Sequence, residues 1–481
     1  MSATAAIAGV HGESLVNYKL IKSHLFAGAL FLTISMVAGY LYSLQFLGFY
    51  PLQDSSTHSP GHFRLLHTNM VAYGWLVNGF TAMLYYVVPR LTGKKVLSDK
   101  LGVLIFWAWQ LIMVLAIGGY MTDKAQAIEW GETPTGFRPG TFELNYVPVD
   151  ALVVVGAVLV ILQFMTPLFQ AREQRFYVTL WYITAGLVWL ALTYLMGNIM
   201  PEWILPGAAG AAVTGLFIHD LVGLYVTPMG WGMMYFFVPL ILRKPIWSHS
   251  LSVIGFWALA FFYPLGGVHH FLISPIPDYV EFGAITTTIA IEVVVTTVVV
   301  NFFMTLRGKW SALRSSMAIR WFYVGAVFYF ITCFQCAFQV TWMFQKVIHF
   351  TDWVVGHAHL IMFGVFTFWL FGVIEWLWPR VCRRNWYSQS LRGWHFWLWS
   401  VGVLIMFFDL MIAGLVHGFM QRDLNDWSDI LRTAEPFWWV RTFSGAMILA
   451  GLFCVIYNMY MTAKAGEAYE EEKHLIPLNA D

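Results

Sequence analysis

The chain has 481 residues, of which 59% are hydrophobic, 18% aromatic and only 11% charged. Soluble domains average about 25% charged residues, so this composition excludes a soluble globular enzyme, a disordered protein and a nucleic-acid-binding protein. The formal net charge of +1 says little about partners. Long apolar stretches with short polar connections predict an all-α integral membrane protein whose surrounding medium is the lipid bilayer.

Twelve apolar stretches are long enough to cross a membrane, because a spanning helix needs about 20 such residues. They predict a single membrane domain, 1–481, with an N-terminal segment (1–23), a twelve-helix core (24–461) and a C-terminal tail (462–481). We find neither a cleavable signal peptide in the first residues nor an internal repeat by eye. The predicted spans are 24–47, 65–89, 101–122, 148–170, 177–197, 211–240, 250–271, 282–305, 321–344, 353–378, 393–419 and 437–461.

The basic residues predict the orientation of these spans. The connections 90–100, 306–320 and 380–392 are rich in lysine and arginine, whereas the alternate connection 123–147 is acidic. Because positively charged loops stay on the cytoplasmic side, we expect both termini in the cytoplasm.

The four cysteines are too few for a disulfide framework. Cys333 and Cys336 form a Cys-x-x-Cys inside an apolar stretch, which favours packing over redox chemistry. The chain contains no Cys-x-x-Cys-His, so we do not expect covalently attached haem.

Six histidines lie at one depth, in the outer third of four different predicted spans. Polar side chains inside a membrane are costly and are functional candidates by default. Since these spans cross the membrane in both directions, a common depth is not expected by chance, and it favours a metal or haem centre. The six are His67, His219, His269, His270, His357 and His359.

His357 and His359 are two residues apart, which places them about 200° apart around a helix. They cannot easily share one metal ion, but they can bind two haems on opposite sides of the same helix. His67 is then a natural second axial ligand for one of those haems.

His269 and His270 are adjacent at the end of the seventh span, where local unwinding can turn both inward. With His219 they form a three-imidazole site, which suits copper, although non-haem iron is an alternative. Tyr263 lies seven residues before His270, two turns away on the same helix face, and is available as a hydrogen and electron donor.

The chain resembles subunit I of the haem–copper oxidase superfamily, and most of all its C family, the cytochrome cbb-type oxidases. The resemblance covers nearly the whole chain, and the combination of Gly-His-x-His with a distant His-His pair is specific. The matching segments are Arg-Leu-Leu-His-Thr-Asn at 64–69, Met-Met-Tyr-Phe-Phe-Val-Pro at 233–239, Phe-Trp-Ala-Leu at 256–259, Gly-Val-His-His at 267–270, Pro-Asp-Tyr at 277–279 and Thr-Asp-Trp-Val-Val-Gly-His-Ala-His at 351–359.

The resemblance implies two haems, a low-spin haem b and a high-spin haem b-like group, and one copper. His67 and His359 resemble the axial pair of the low-spin haem, and His357 resembles the single protein ligand of the high-spin haem. The residues that resemble the copper ligands are His219, His269 and His270.

The resemblance also implies roles for residues around these ligands. Tyr263 stands at the C-family position of the active-site tyrosine, which implies a covalent link to His219. Arg64 and Arg441 resemble the bases that hold haem propionates. The residues that match the single proton-uptake route of this family are Tyr235, Ser252 and Tyr263.

Five positions bear on the choice between dioxygen and nitric oxide as substrate. Asp220 follows the first copper-type histidine where the C family usually has asparagine, and Gln335 replaces a usual glutamate. Glu292 lies in the middle of the eighth span. Nitric oxide reductases of this superfamily use iron in place of copper and have extra carboxylates nearby, which Asp220 and Glu292 match. Those reductases lack the tyrosine, however, and have a glutamate where this chain has Gly223, so we favour an oxidase.

The sequence therefore predicts a proton-translocating, cbb-type terminal oxidase of the bacterial inner membrane that reduces dioxygen to water. Its electrons are expected from a membrane-anchored cytochrome c-type subunit or a soluble cytochrome c, and its protons from the cytoplasm. An ion-coupled transporter would use Glu292, Asp220 and Asp409 as ion sites but leaves the six histidines unexplained. A structural subunit without haem gives no reason to place His357 and His359 on opposite helix faces.

Overall fold

The computed structural model describes residues 12–121, 149–171, 176–205 and 207–470. Within these ranges it contains twelve helices that are long and apolar enough to cross a membrane, and a single β-bridge, between Arg384 and Ala468. The prediction of an all-α, twelve-span protein is confirmed. The spans are α1 Tyr18–Leu47, α2 Pro60–Thr92, α3 Asp99–Met121, α4 Val149–Gln170, α5 Val178–Ile199, α6 Ala208–Leu242, α7 His249–Phe271, α8 Asp278–Leu306, α9 Met317–Gln339, α10 Asp352–Cys382, α11 Gln389–Arg422 and α12 Trp427–Ala465.

Short helical segments lie in the connections and at one span end. Two are single 3₁₀ turns and three are short α-helices. They are Glu13–Leu15, Ser56–His58, Met200–Trp203, Ala312–Ser315 and Trp342–Ile348.

Several helix ends differ from the predicted ones because capping groups, rather than hydropathy, decide them. Helix α2 begins five residues early, at Pro60, since Ser59 accepts a hydrogen bond from the His62 amide and proline suits the first turn. Helix α9 ends at Gln339 instead of 344, because Thr341 is extended and its hydroxyl donates to the Phe338 carbonyl. The acidic connection 123–147 lies outside the described residues, as do residues 1–11 and 471–481 of the two predicted terminal segments.

A structural repeat, which we did not find by eye in the sequence, relates three parts of the chain. Each of α2, α6 and α10 contains a proline four residues before a left-handed residue, and a serine that caps the next helix follows five residues later. The three sets are Pro89, Gly93 and Ser98; Pro239, Arg243 and Ser248; and Pro379, Arg383 and Ser388.

The same repeat is stabilised by one amide side chain in each part. The amide accepts from the backbone N–H of the capping serine and donates to its carbonyl, so it binds both polar groups of one residue. Because all three connections lie on the basic side of the membrane, the repeat units run parallel to each other. The amides belong to Gln163 of α4, Asn301 of α8 and Asn458 of α12.

Helices α2, α6 and α10 form the centre of the molecule. The membrane-crossing windows of α2 and α10 are almost wholly buried, and that of α6 is mostly buried. Each of the three widens into a π-helical turn two or three residues after a histidine, a feature that concentrates at functional sites. These turns are Met70–Leu76 after His67, Leu221–Val226 after His219 and Met362–Phe366 after His359.

Candidate active site

The imidazole rings of His67 on α2 and His359 on α10 face each other. Their ring centroids are 5.9 Å apart and the ring planes differ by 20°. The Nδ1 atom of each ring lies 2.8 Å from a backbone carbonyl oxygen, that of Ser35 for His67 and that of Val355 for His359. Nδ1 therefore carries the proton and donates it, which leaves the Nε2 lone pair free for a metal. With metal–imidazole bonds of about 2 Å, this pair fits the two axial positions of one haem iron.

The two rings line a cleft with about 670 Å³ of unfilled space, part of it open to the surroundings, which we call the bis-histidine cleft. Gly39 of α1 allows it to form, because a Cβ atom there would lie 2.4 Å from His67 Nδ1. The wall is mostly apolar, with Met36, Phe363 and Met406 among its residues. An apolar cleft with one ligand atom on each side is the environment that a haem requires.

Arg441 of α12 lines this cleft, whereas Arg64 is exposed at the start of α2. The Arg441 guanidinium is buried, stacks on the Phe46 ring at 4.3 Å and lies 3.9 Å from a carboxylate oxygen of Asp352. Asp352 also accepts from Trp438 Nε1 at 3.1 Å. The arrangement leaves a positive group inside the cleft, where an anionic haem substituent could pair with it.

His219, His269 and His270 come together as the sequence predicted, and we call them the three-histidine site. One nitrogen from each lies within 4.8 Å of the others, and in the described part of the chain this is the cluster of metal-ligating side chains that fits one ion. His269 and His270 lie in the 3₁₀ segment Gly267–Phe271, so the end of α7 is wound more tightly than an α-helix and not unwound as expected. His219 Nε2 is buried without a hydrogen-bond partner, which is costly unless a metal or a covalent bond occupies it.

Thr288 of α8 orients His269, a contact that sequence reasoning missed. Its hydroxyl donates to the Ala284 carbonyl at 2.6 Å, so the oxygen can accept the Nδ1–H of His269 at 2.8 Å. The Nε2 atom of His269 is left as the metal ligand. The signal that could have found Thr288 is its polar side chain in an apolar span, at the depth of the histidines.

Tyr263 lies directly against the three-histidine site. Its ring centroid is 4.0 Å from that of His219, with an interplanar angle of 22°. The space for the ring exists because residue 223 is glycine, since a Cβ atom there would lie 1.6 Å from Tyr263 Cε1. A glutamate at position 223 and a tyrosine at position 263 therefore exclude each other in this backbone.

His357 of α10 is held by side chains from α9. Its Nδ1–H donates to Gln335 Oε1 at 3.2 Å, and its Nε2 lies 3.3 Å from the amide nitrogen of Gln339 and 3.8 Å from Cys336 Sγ. Gln335 in turn donates to Met411 Sδ at 3.4 Å. Gln335 thus occupies the position from which the usual glutamate of the C family would contact the same imidazole.

The two unusual carboxylates lie in the interior of the helix bundle. Asp220 is buried next to His219 and has one carboxylate oxygen without a hydrogen-bond partner. Glu292 begins the second part of α8 after a break at Ile291, and one of its oxygens is also buried and unpartnered. Neither belongs to the three-histidine cluster.

The residues of the expected proton route are buried, but the structure brings them together only through a fourth side chain. Ser252 donates its hydroxyl to the His249 carbonyl at 2.6 Å, and the Tyr235 hydroxyl has no hydrogen-bond partner. Tyr182 of α5 lies between them, with its ring 5.7 Å from that of Tyr235 and its hydroxyl near Gly255 of α7, one turn from Ser252, but this hydroxyl has no hydrogen-bond partner. Sequence patterns did not indicate Tyr182, because its partners lie on other helices.

Comparison with known proteins agrees with this geometry. Residues 19–447 match the model of the family described as cytochrome c and quinol oxidase polypeptide I. The chain belongs to the subunit I family of haem–copper oxidases. It is therefore a multi-pass membrane protein of an oxidase family that functions in electron transport, and the family implies haems and copper.

Two curated relatives are oxidases and one is a reductase. The chain is 30% identical to cytochrome c oxidase subunit 1 of Rhodobacter capsulatus, over 84% of this chain and 77% of that one. It is 27% identical to the cbb3-type cytochrome c oxidase subunit CcoN1 of Stutzerimonas stutzeri, over 94% and 96%. A nitric oxide reductase subunit of the same organism is 23% identical, over 82% and 85%.

A solved structure supports the fold. A haem–copper terminal oxidase, determined as a dimer by cryo-electron microscopy, superposes with a TM-score of 0.74 at 15% identity. The match covers 96% of this chain and 86% of the other. At that identity the likeness supports the shared architecture and nothing finer.

Proposed function

We propose that this chain is the catalytic subunit of a cbb-type respiratory terminal oxidase that reduces dioxygen to water. The observation that carries the proposal is the Tyr263 ring stacked on His219 beside two further imidazoles, in space that Gly223 leaves open. Reduction of dioxygen to two waters takes four electrons and four protons. A phenol against the metal ligands supplies one electron and one proton at the place where they are needed.

The residues that would hold the cofactors are the six histidines, and His357 would exchange the contact of its Nε2 atom with Gln339 for the metal. His67 and His359 would bind a low-spin haem b, and His357 a high-spin haem b-like group. The three-histidine site would bind copper. When bound, the haems and the metal ion supply the electron storage and the binding of dioxygen that amino acids lack.

Tyr263 would give up one electron and one proton from its hydroxyl group during turnover, and would regain the proton from the cytoplasmic side and the electron from the electron donor. The 4.0 Å separation of the two rings supports a covalent link between Tyr263 and His219, which would hold the phenol in place. Protons would reach it past Ser252, Tyr182 and Tyr235. Each charge moved across the membrane against 100 mV stores about 2.3 kcal/mol, so taking electrons from the outer side and protons from the cytoplasm would make the reaction electrogenic.

Electrons would arrive from the outer side, from a membrane-anchored cytochrome c-type subunit or a soluble cytochrome c. Arg441, and Arg64 at the outer end of α2, would hold haem propionates on that side. This orientation places both termini of a single membrane domain in the cytoplasm of a bacterial cell, with the chain in the inner membrane.

The test is metal analysis of the purified chain combined with two turnover measurements. The oxidase proposal expects about one copper for every two irons, and rapid consumption of dioxygen with a reduced cytochrome c. Three irons without copper, together with faster turnover of nitric oxide than of dioxygen, would contradict it.

The second candidate is a nitric oxide reductase with non-haem iron at the three-histidine site. The buried oxygens of Asp220 and Glu292 favour it, because extra carboxylates suit iron and can deliver the protons that nitric oxide reduction consumes. Tyr263 and Gly223 oppose it. Iron at the three-histidine site with an intact Tyr263–His219 contact but no dioxygen turnover would decide for the reductase.

A further inference from the structure

Helices α11 and α12 are longer than a bilayer requires, and a short exposed connection joins their outer ends. The two helices have 34 and 39 residues, which at 1.5 Å per residue makes them roughly 51 and 58 Å long, whereas the hydrocarbon core is about 30 Å thick. We call residues 422–437 the outer hairpin. All of them are at least partly exposed except Ile430 and Ala434, which lie one turn apart and face inward.

Leu424 lies at the tip of the outer hairpin in a conformation that leucine rarely adopts. Its φ is +57°, in the position after a helix end that glycine usually fills. The turn is closed by hydrogen bonds from the Leu424 amide to Gln421 and from the Asn425 amide to Met420. The side chain is 89% exposed. A strained leucine held in water has no structural benefit, so it indicates a contact outside this chain.

The tip combines an apolar strip with an acidic rim. Trp427 and Leu431 are exposed one helical turn apart, next in the chain to Leu424. The outer hairpin carries four carboxylates and two guanidinium groups, and Arg432 is already paired with Asp429 at 2.7 Å. Apolar residues with a charged rim are the composition of a protein interface, and the excess of carboxylates fits a partner with a basic face. The remaining carboxylates are Asp423, Asp426 and Glu435.

The outer hairpin leads directly to the bis-histidine cleft. At its base Trp438 donates to Asp352, and its ring is 5.3 Å from that of Phe46. One turn further along α12, Arg441 lines the cleft beside His67 and His359. A protein bound at the outer hairpin is therefore connected to the electron-accepting end of the site through packed aromatic and charged side chains.

We propose that the outer hairpin is the docking surface for the electron-donor protein, whose contact face is basic and has an apolar centre. The inference rests on the proposed oxidase function and adds to it the surface at which electrons enter. The partner is a protein with its own redox group, because an exposed apolar strip with a charged rim has the composition of a protein interface.

The first test replaces Leu424 by glycine. Leu424→Gly relieves the backbone strain, so it should fold at least as well as the wild type. The full chain with its haems and metal is assayed for dioxygen consumption with two reductants, a basic soluble cytochrome c and a small diffusible amine, tetramethylphenylenediamine. We expect the KM for the cytochrome to rise about fivefold to tenfold, while turnover with the amine stays the same.

Arg243→Gly is the matched control. Arg243 follows the end of α6 in the same left-handed backbone conformation as Leu424, with a φ of 53°, but it lies on the opposite, cytoplasmic side. It should leave the KM for the cytochrome unchanged. An unchanged KM in Leu424→Gly, or an equal rise in both variants, would overturn the proposal.

The second test reverses one charge. Asp423→Lys adds a basic residue at a helix C-terminus, which the helix tolerates, and should raise the KM for the cytochrome several-fold at low ionic strength. The difference should vanish at high salt. Asp278→Lys makes the same change at the outer start of α8, on the same side of the membrane, and should have no such effect. Salt-independent or equal effects in the two variants would contradict docking at the outer hairpin.

The two reductants separate this inference from the proposed function. If the wild type consumes no dioxygen with the amine, the oxidase proposal fails. If the wild type consumes dioxygen with the amine but accepts no electrons from a basic cytochrome, the oxidase proposal stands and the docking proposal is wrong. The same conclusion follows if all variants accept electrons from the cytochrome equally well.

Discussion

His67 and His359 donate their Nδ1 protons to main-chain carbonyls, whereas His269 and His357 are oriented by the side chains of Thr288 and Gln335. A main-chain carbonyl cannot be replaced by mutation, so the bis-histidine cleft has a fixed hydrogen-bonding environment. The orientation and basicity of His269 and His357, by contrast, can be changed by substituting one neighbouring residue. Electron transfer through a bis-histidine haem needs a constant ligand field, while chemistry at an open metal site benefits from adjustment.

The largest expected effect comes from removing one histidine of α10 at a time. His359→Ala should abolish the low-spin haem spectrum and retain the high-spin one, and His357→Ala should do the reverse, because the proposal assigns the two imidazoles to different haems. Optical and electron paramagnetic resonance spectra of the purified variants would show this. His395→Phe is the control, a buried histidine among aromatic rings on α11 that should retain both spectra. Loss of both haems from either alanine variant would show that the two sites are not separate.

Tyr263→Phe should retain both haems and the metal but slow dioxygen reduction by about 100-fold or more, because the phenol hydrogen is lost. Nitric oxide reduction needs two electrons per turnover and should be less affected. Peptide mass analysis of the wild type should find Tyr263 covalently joined to His219. Tyr329→Phe, a buried tyrosine packed against Trp369, should leave activity unchanged. Full dioxygen turnover in Tyr263→Phe would remove the main argument for an oxidase.

Thr288→Val tests whether a side chain orients the ligands of the three-histidine site. Loss of the acceptor for the His269 Nδ1 proton should weaken metal binding by roughly 10- to 100-fold, measured as the metal content after dialysis against a chelator. Thr287→Val is the matched control, because that hydroxyl donates only to carbonyls of its own helix. Equal metal retention in the two variants would mean that Thr288 does not orient the ligand.

Gln335→Glu should lower the midpoint potential of the high-spin haem by on the order of 50–100 mV, because a carboxylate draws the Nδ1 proton of His357 more strongly and enriches the iron in electrons. Spectroelectrochemical titration measures both haems in one sample. The potential of the low-spin haem, whose ligands do not touch Gln335, is the internal control. A shift of both potentials by the same amount would indicate a general charge effect.

Ser35→Ala should have the smallest effect. The Ser35 hydroxyl donates to the His67 carbonyl and lies 3.3 Å from His67 Nδ1, but the shorter contact of that nitrogen, 2.8 Å, is with the Ser35 carbonyl, which the substitution keeps. The low-spin potential should therefore stay within about 20 mV of the wild type in the same titration. A larger shift would show that the cleft depends on side chains after all and would weaken the contrast between the two regions.

Hydropathy and histidine depth were enough to predict the twelve spans and the grouping of His219 with His269 and His270, whereas the pairing of His67 with His359 came from the family resemblance. The spans and the three-histidine grouping depend on properties that a sequence carries locally, namely apolar length and the position of a polar residue within it. Thr288, Gly39 and Tyr182 were not predicted, because their importance arises from contacts between helices that are distant in sequence. The repeat was missed because its three parts share backbone conformation and capping, with proline, a left-handed residue and serine, while the side chains around them differ.

The π-helical turns after His67, His219 and His359 have a mechanical consequence. Each turn holds one more residue than an α-helical turn, so it shifts the phase of the helix by about 100°. The outer part of each helix, which presents the imidazole, can then take a rotation different from that of the inner part, which packs against its neighbours. Deleting a single residue from Leu221–Val226 would leave the inner packing in register and turn His219 away from His269 and His270. Ligand direction and bundle packing are in this way set by separate stretches of one continuous helix.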